Sequence, residues 1–360
     1  MITREHKENA TGDVDGVNDD AGPSSGKHRY SWKKAFRLSN IGAIYVWILI
    51  VIVFSIWAPD SFPTWQTFQT VVNQNAIAGL IALALVIPLS ANLFDLSVGN
   101  AMGLCNMIVA WLLVNQGMAI APAVAITIVA GVLIGLFNAT IVVGARMDSF
   151  IATLATGSLM AALVSLIGNN QPIIGSKLNE GFADLATTQI AGIALPVYLM
   201  LLVAVSVWIF QRYTPVGRRM YATGFNDVSA RLSGIRTARL RFASLLVSGT
   251  VAGVAGVLLA SQVSSGSPNI GPPYLLDAFA AAFLGATQFG GRFNAWGTVI
   301  AVLLLGTGKT GLILVGAPLW AQSMFSGVVL LVALGFSNLE RALEARAWIT
   351  ERRRRRVEAV

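Results

Sequence analysis

Apolar runs of about twenty residues recur along this chain, and their repetition constrains the fold more than any other feature. A helix that crosses the hydrocarbon core of a bilayer needs roughly twenty predominantly apolar residues. Repeated runs of this length therefore predict several membrane spans rather than one. Only 12% of the residues are charged and 55% are hydrophobic, whereas soluble domains carry about 25% charged residues. We expect an all-α polytopic membrane protein.

The apolar runs predict ten transmembrane helices. Their ranges are 41–59, 71–91, 96–115, 119–143, 148–168, 191–210, 242–263, 274–290, 295–315 and 318–337. The link at 91–96 is very short and carries no basic residue. It is either a tight loop or a re-entrant or broken-helix segment. Non-helical backbone at membrane depth is tolerated only where it is buried in protein or lines a cavity.

The positions of lysine and arginine predict the orientation, because cytoplasmic loops are enriched in these residues. With the N-terminus inside, 23 of the 25 lysines and arginines fall on the cytoplasmic side. The N-terminal tail, a loop at 211–241 and the C-terminal tail hold seven each, and Arg146 and Arg292 occupy short loops. The exceptions are Lys177 in the longest outside loop and Lys309 within a span. Both termini are therefore predicted to be cytoplasmic.

Three regions follow from this topology. Residues 1–40 are polar and mixed in charge, so they cannot bury enough apolar area and are expected to be a disordered cytoplasmic tail. Residues 41–340 form the membrane domain, and 341–360 form a basic tail. The five arginines at 352–356 are expected to act as a topology anchor attracted to anionic lipid. Because the basic residues belong to topology, no nucleic-acid partner is expected.

The loop at 211–241 holds seven arginines, no lysine and a single acid, Asp227. Fixing the orientation needs only a few basic residues, so the length of the loop favours a surface that meets a partner in the cytoplasm. The alternative is a solvated loop that only fixes orientation. We predict a short helix at Asn226–Leu232, capped by Asn226 and with Asp227 at its positive end.

Polar side chains inside the spans mark a candidate translocation path. The stretch at 95–99, DLSVG, opens a span: Asp95 is either only a helix cap or, with Ser97, part of a path for a hydroxylated solute. Lys309 either snorkels or faces a polar cavity or its outer mouth, and we favour the cavity or its outer mouth over snorkelling. Pairing between helices is the alternative explanation for the other groups. The candidate path residues are Asp95, Ser97, Asn100, Asn138, Asp277, Gln288 and Lys309.

Several other chemistries are disfavoured. Both histidines lie in the N-terminal tail and the single cysteine lies in an apolar run, so neither a histidine-based metal site nor an enzyme site is expected within the membrane. The sequence GTGKTG at 306–311 fits G-x-G-x-x-G, but it lies inside an apolar span with no strand before it, so nucleotide binding is not expected there. Gly99-x-x-x-Gly103 and Gly131-x-x-x-Gly135 are typical of close helix packing.

Five segments carry a resemblance to a known family. They are FDLSVGN (94–100), DSFIATLATGSLMAAL (148–163), TPVGRRMYATGFNDVSARLSGI (214–235), LDAFAAAFLGATQFGGRFNAWGTVIAVLLLG (276–306) and the final apolar span. In this order the chain resembles the inner-membrane permease subunits of bacterial ABC importers for simple sugars, the ribose/xylose/autoinducer-2 type. The resemblance covers roughly 41–340. One departure is Lys309, where many members carry asparagine, and it leaves the identity of the sugar open.

The resemblance implies a permease homodimer or heterodimer, a cytoplasmic ATPase with two nucleotide-binding halves, and an extracytoplasmic sugar-binding protein. It implies that 214–235 is the coupling helix region, and that ATP and Mg²⁺ are bound by the ATPase, so this chain itself needs no cofactor and is not an enzyme. The coupling residues carried over are Gly217, Arg218, Arg219, Ala222, Gly224, Asn226, Ala230, Arg231 and Gly234.

Two other functional classes remain as alternatives. An ion-coupled secondary transporter would need intramembrane acids, and the spans offer only Asp95 and Asp277. A membrane scaffold would show neither a bound ATPase nor a transport defect on deletion. In the favoured mechanism, the ATPase moves the 214–235 helix and thereby rocks the spans between outward-open and inward-open states. The outside loops 60–70, 169–190 and 264–273 would dock the binding protein.

Overall fold

The computed structural model describes residues 38–288, 291–333 and 335, and within them the fold is almost entirely helical. The longer helices are α1 Leu38–Trp57, α2 Trp65–Ser90, α3 Val98–Val114, α4 Ile120–Ala139, α5 Ser149–Gly168, α8 Leu195–Tyr213, α9 Pro215–Phe225, α11 Thr237–Val263, α12 Gly271–Ala286, α13 Ala295–Leu314 and α14 Leu319–Ala333. Three short helices are α6 Ser176–Asn179, α7 Asp184–Thr187 and α10 Asp227–Leu232. A two-residue hairpin, β1 Gln189–Ile190 and β2 Ile193–Ala194, precedes α8.

Each of the ten predicted spans coincides with a helix, which confirms the all-α polytopic class. Among the described residues, six helices (α2, α4 with its π-helical end at Thr140–Gly144, α5, α8, α11 and α13) are long and apolar enough to cross a membrane. Three more (α1, α3 and α14) are apolar but provide shorter apolar segments. The count of ten crossings and the cytoplasmic side of the termini stay predictions. The predicted tails lie outside the described residues except for 38–40, which begin α1.

Several boundaries differ from the predicted ones. Helix α8 starts at Leu195 rather than at 191, because the hairpin occupies the preceding residues. Helix α11 starts at Thr237, five residues before its apolar run, so the end of the basic loop is helical. Helix α12 ends at Ala286 rather than at 290. Polar residues can extend a helix beyond its apolar segment, which is why hydropathy alone misplaces the ends.

Helix α2 is the central element of the bundle. From Ala76 to Ala91 every residue of this segment is buried. A helix that is apolar on all sides is expected to be surrounded by other elements. Helices α8, α11, α12 and α13 pack around α2 and surround it. The helix thus forms an axis against which its neighbours are positioned.

Glycines set the closest helix crossings, and the prediction for Gly131 and Gly135 is confirmed. A Cβ on Gly131 would lie 2.7 Å from Cα of Gly253, and one on Gly135 would lie 2.8 Å from the carbonyl oxygen of Leu245. Helices α4 and α11 therefore touch backbone to backbone. Gly99 serves the same purpose between α3 and α12, where an added Cβ would lie 2.8 Å from the carbonyl oxygen of Gly271.

The outward faces of the bundle are apolar. Helix α5 packs mainly against α3 and leaves one long face uncovered. Its exposed large side chains are Ile151, Leu154, Leu159, Leu163 and Leu166. Helices α1, α4 and α14 also expose large apolar side chains. Apolar surface of this extent is expected where a protein contacts lipid or another membrane subunit.

Residues 169–194 cover the end of the bundle where α3 and α11 finish. Phe182 and Leu178 are fully buried among side chains of α3, α4 and α11. Ser261 on α11 donates to the carbonyl oxygen of Phe182 at 2.7 Å, and Lys177 donates to the carbonyl oxygen of Gly117 at 2.6 Å. This segment, predicted to be an outside loop, is therefore folded onto the helices.

Candidate translocation and coupling sites

The seven residues between α2 and α3 (91–97) form a non-helical segment that lies against α5. The amide of Phe94 donates to Oγ of Ser149 at 3.1 Å, and the amide of Leu96 donates to Oγ1 of Thr153 at 2.9 Å. Hydroxyls of α5 thus satisfy backbone donors that a continuous helix would have satisfied internally. Buried non-helical backbone in a membrane protein requires replacement hydrogen-bond partners of this kind. The geometry fits a broken-helix segment more closely than a solvated loop.

Asp95 is the centre of a buried hydrogen-bond network. Its side chain is only 1% exposed. Its Oδ1 accepts from the amide and the hydroxyl of Ser97, at 3.1 and 2.6 Å, and its Oδ2 accepts from the hydroxyl of Ser248 on α11 at 2.6 Å. Asn138 on α4 donates to Oγ of Ser97 at 2.7 Å. One carboxylate therefore joins the start of α3 to α4 and α11.

The sequence had identified Asp95, Ser97 and Asn138 but had not identified Ser248. In this conformation the carboxylate oxygens face hydroxyls of the protein. The Oδ1 atom of Asn138 has no partner within the described part of the chain. A buried carbonyl oxygen without a donor costs free energy unless a further group reaches it. It is the acceptor of this network that lacks a donor among the described residues in this conformation.

Asn100 lies one turn further along α3 and is partly exposed. It lines a narrow cleft together with Ser267, Asn269 and Gly271, next to the start of α12, and this cleft of about 20 Å³ has room for about one water molecule. Asparagine and serine side chains give the cleft hydrogen-bonding groups without charge. Such a lining matches an uncharged polar group, and the cleft would have to widen to admit a whole sugar.

Asp277 on α12 and Lys309 on α13 form an ion pair, with Nζ 2.5 Å from Oδ2. Their side chains are 19% and 22% exposed, so the pair is neither fully buried nor free in solvent. The lysine predicted to face a polar cavity therefore has a carboxylate partner on the neighbouring helix. Pairing lowers the cost of placing an ammonium group within a span.

Gln288 lies apart from the other candidate path residues, after the end of α12. It is buried, and its Nε2 donates to Oγ1 of Thr287 at 3.0 Å. Asn294 accepts from the amide of Gly297 at 2.7 Å and so caps α13, while its amide group donates to the carbonyl oxygen of Gln288 at 3.3 Å. These bonds organise the turn between α12 and α13.

The glycines of GTGKTG lie within α13 and let three neighbouring elements approach. Gly306 faces the Asn75 side chain on α2, Gly308 faces the ring of Phe325 on α14, and Gly311 faces the ring of Phe54 on α1. At each position an added Cβ would collide with the facing group. The glycines of this motif allow neighbouring elements to pack closely against α13. The motif is helical, whereas a phosphate-binding motif of this type would form a glycine-rich loop after a strand.

The basic loop contains two helices, α9 and α10, where the residues predicted only the second and the resemblance implied one helical region over 214–235. Asn226 caps α10, because its Oδ1 accepts from the amide of Ser229 at 2.9 Å, as predicted. Asp227 pairs with Arg231 at 2.7 Å. Helix α9 starts with Thr214, whose hydroxyl accepts from the amide of Gly217 at 3.0 Å, followed by Pro215. This Thr-Pro start is a helix signal that the sequence offered.

Two glycines fix α9 against the membrane helices. An added Cβ on Gly224 would collide with the carbonyl oxygen of Ser90 at the end of α2, and one on Gly217 would collide with the carbonyl oxygen of Phe210. Tyr221 donates to the carbonyl oxygen of Phe293 at 2.6 Å. Helix α9 is therefore in direct contact with the central helix and with the turn before α13.

The predicted coupling residues divide into two groups. Gly217 and Ala230 are buried and Gly224 is half-buried, so these residues support the packing of α9 and α10. The exposed members are Arg218, Arg219, Ala222, Asn226, Arg231 and Gly234. Gly234 has a φ of 79° and ends α10, which favours glycine.

Two apolar side chains that the sequence did not single out dominate the outer face of this loop. Phe225 at the end of α9 is 94% exposed, and Leu232 at the end of α10 is 85% exposed. Val228 on α10 is also exposed. Large apolar side chains with this degree of exposure, on a loop that carries seven arginines, are typical of a protein interface.

Comparison with known proteins agrees with this architecture. Residues 67–334 match the model of a family described as "Branched-chain amino acid transport system / permease component". The ribose import permease protein RbsC of Bacillus subtilis (strain 168) is 34% identical over 300 residues, which cover 82% of this chain and 92% of that protein. The RbsC of Escherichia coli (strain K12) is 30% identical over 86% of this chain and 97% of its own.

A third relative, the autoinducer 2 import system permease protein LsrD of Photorhabdus laumondii, is 27% identical over 88% of this chain and 99% of its own. No solved structure matches the chain. The relatives and the six apolar helices identify a multi-pass protein of the bacterial cytoplasmic membrane. Since the family model covers most of the chain, the protein belongs to this family of transport-system permease components.

Proposed function

We propose that the chain is the permease subunit of an ATP-binding-cassette importer and forms the translocation path for a monosaccharide or a similar small polyol. The names of its relatives, which import ribose and autoinducer 2, support this substrate class. The family description mentions branched-chain amino acids, so family membership does not by itself choose the solute. Uncharged hydrogen-bonding groups such as Asn100 and Asn138 favour a hydroxylated solute.

The observation that carries the proposal is the outer face of α9 and α10. Phe225 and Leu232 project from helices that the Gly224 contact fixes against α2. An ATPase that binds this face would therefore push directly on the central helix of the bundle. The ATPase, with its two nucleotide-binding halves, would bind ATP and Mg²⁺, and this chain would perform no covalent chemistry.

Two further partners complete the proposed assembly. A second permease chain, identical or related, would cover part of the apolar outer surface, for which the uncovered face of α5 is a candidate. An extracytoplasmic sugar-binding protein would dock on the outside segments 60–70, 169–190 and 264–273, although 65–70 belong to the start of α2 and 271–273 to the start of α12 rather than to loops as predicted. The folding of 169–194 onto the helix ends supports this role, since a fixed surface loses less entropy on binding.

The coupling face is tested with a double variant, Phe225→Ser/Leu232→Ser. The genes next to this one are first examined for an ATPase with two nucleotide-binding halves and an exported sugar-binding protein. The three proteins are then co-expressed, and the permease is purified and assayed for bound ATPase and for solute uptake. We expect the double variant to reach the membrane but to lose the ATPase and the uptake.

Met147→Ser is the matched control, because Met147 is an exposed apolar residue in the loop between α4 and α5 and lies outside α9 and α10. Normal ATPase binding by the double variant would refute the coupling face. Uptake by cells that lack the ATPase would favour an ion-coupled secondary transporter instead. The solute itself is identified by a separate experiment, in which the sugar-binding protein is screened against a panel of sugars for the one that raises its thermal midpoint.

A further inference from the structure

An open cleft of about 860 Å³ lies between the C-terminal end of α8 and the N-terminal end of α13. Three arginines and three aromatic residues line it: Arg212, Arg218, Arg292, Trp208, Tyr221 and Trp296. Arg218 is also one of the predicted coupling residues, whereas the other five belong neither to the candidate translocation path nor to the predicted coupling residues. Arginine and aromatic side chains together are suited to an anionic group that is attached to an apolar body.

The charges of this cleft are unopposed within the described part of the chain. No carboxylate lines it. The ion pairs in that part are Asp227 with Arg231 and with Arg241, and Asp277 with Lys309, so none involves the arginines of the cleft. Guanidinium groups bind phosphate oxygens in a bidentate manner, which makes phosphate the anion that this set recognises best.

Hydrogen bonds hold the floor of the cleft in place. Gln211 donates to Oγ of Ser90 at 3.0 Å, and Tyr221 donates to the carbonyl oxygen of Phe293. Burial raises the pKa of Tyr221 to about 12, so its hydroxyl keeps the proton that it donates at neutral pH. The guanidinium carbon of Arg292 lies 5.8 Å from the centre of the Tyr221 ring, a cation–π contact that orients it toward the cleft.

The position of the aromatic residues indicates the level of the membrane surface. Trp208 contacts both Trp296 and Tyr213, with ring centres 6.4 and 5.3 Å apart. Tryptophan and tyrosine concentrate where the hydrocarbon core meets the headgroups. Arg212 lies one turn after Trp208 in α8, on the same face of the helix.

An apolar stripe leads away from the cleft along α8. Val205 and Leu201 lie three and seven residues before Trp208, on the face of α8 that carries Trp208 and Arg212. Leu201 is exposed and Val205 is partly exposed, so this face presents apolar surface that is compatible with hydrocarbon. A ligand with a phosphate in the cleft would have a path for an acyl chain beside it.

We propose that this cleft binds the phosphate of an anionic phospholipid, with the headgroup held by Arg212, Arg218 and Arg292 and an acyl chain lying along α8. Such a lipid would join the end of α8 to the turn before α13, next to α9. The same phosphate chemistry is offered by free inorganic phosphate, and the ATPase is the protein that could cover the cleft instead. The experiment distinguishes these occupants.

The full-length protein is purified in detergent, and lipids retained by it are counted by native mass spectrometry after addition of phosphatidylglycerol or phosphatidylcholine. We expect retention of phosphatidylglycerol over phosphatidylcholine. The variant Arg212→Gln/Arg292→Gln should bind phosphatidylglycerol about tenfold more weakly, since each arginine near a membrane surface contributes appreciably to anionic-lipid binding. The charge-conserving variant Arg212→Lys/Arg292→Lys should retain most of the binding.

Arg236→Gln/Arg239→Gln removes the same charge from exposed arginines outside the cleft and should leave lipid retention unchanged. Equal loss in this control would mean a general charge effect and would overturn the site. A rise in the thermal midpoint with inorganic phosphate equal to that with phosphatidylglycerol would assign the cleft to a free anion. Unchanged lipid retention with lost ATPase binding in Arg212→Gln/Arg292→Gln would assign it to the ATPase.

Discussion

Nζ of Lys309 and Oδ2 of Asp277 lie 2.5 Å apart and join α13 to α12 within the membrane domain. The two residues are thirty-two positions apart in the chain, and each is the only charged residue of its helix. Because α12 also crosses α13 at Gly285, where an added Cβ would lie 2.5 Å from the amide nitrogen of Thr298, the two helices are held at two points. Their relative position is therefore tightly constrained.

Replacing either member of this pair should destabilise the protein. Lys309→Met or Asp277→Leu alone leaves a partly buried charge without its partner, which costs about 1–3 kcal/mol. We expect a lower thermal midpoint for each single variant in detergent and a partial recovery in the double variant, because it removes both charges together. A double variant whose loss equals the sum of the single losses would contradict the coupling of the pair.

The crossing of α4 and α11 predicts an unusual response to a glycine-to-alanine change. Such a change normally stabilises a helix interior by about 0.5–1 kcal/mol. Gly131→Ala should instead destabilise by about 1–3 kcal/mol, because the new methyl group meets backbone atoms of α11. Thermal denaturation in detergent measures the difference. Gly327→Ala on α14 is the control, since its added methyl meets no atom of the described residues within 4 Å; equal effects would refute the crossing.

The sequence was sufficient for the features that depend on neighbouring residues. Runs of apolar residues located the ten helices, and the cap residue Asn226 located α10. For 214–225 only the family resemblance implied helix, as one helical region over 214–235, whereas the structure has two helices separated at Asn226. The residues carry a local signal for the start of α9, namely Thr214 followed by Pro215.

Contacts between distant parts of the chain could not be predicted in this way. Ser248 lies 153 positions from Asp95, and no pattern in one sequence relates a serine in an apolar run to a carboxylate so far away. The exposure of Phe225 and Leu232 also depends on how α9 and α10 dock, which a composition-based reading cannot supply. The pairing of Asp277 with Lys309 likewise depends on how α12 packs against α13, which the order of residues alone does not reveal.

The contact between Gly224 and Ser90 predicts that α9 transmits motion to α2. Gly224→Val places a side chain against the carbonyl oxygen of Ser90 and should separate the two helices. We expect normal membrane insertion and ATPase binding with solute uptake largely abolished, because movement of α9 would no longer be transmitted to α2. Gly327→Val is the control. Undiminished uptake by Gly224→Val would mean that this contact does not transmit motion.

The network around Asp95 predicts that loss of the Ser248 hydroxyl lowers the stability of the protein, whereas loss of the Ser158 hydroxyl does not. Ser248→Ala removes the donor to Oδ2 of Asp95 and leaves a fully buried carboxylate oxygen without a partner, which should cost about 1–3 kcal/mol. Ser158→Ala on α5 removes an exposed hydroxyl that bonds only to the carbonyl oxygen of Leu154, so its thermal midpoint should not change. Ser248→Thr restores a hydroxyl at the same position and should recover part of the loss if the added methyl is accommodated. If Ser248→Ala were as stable as Ser158→Ala, the bond to Asp95 would not hold α11 to the start of α3, and the carboxylate would be free to serve the translocation path alone.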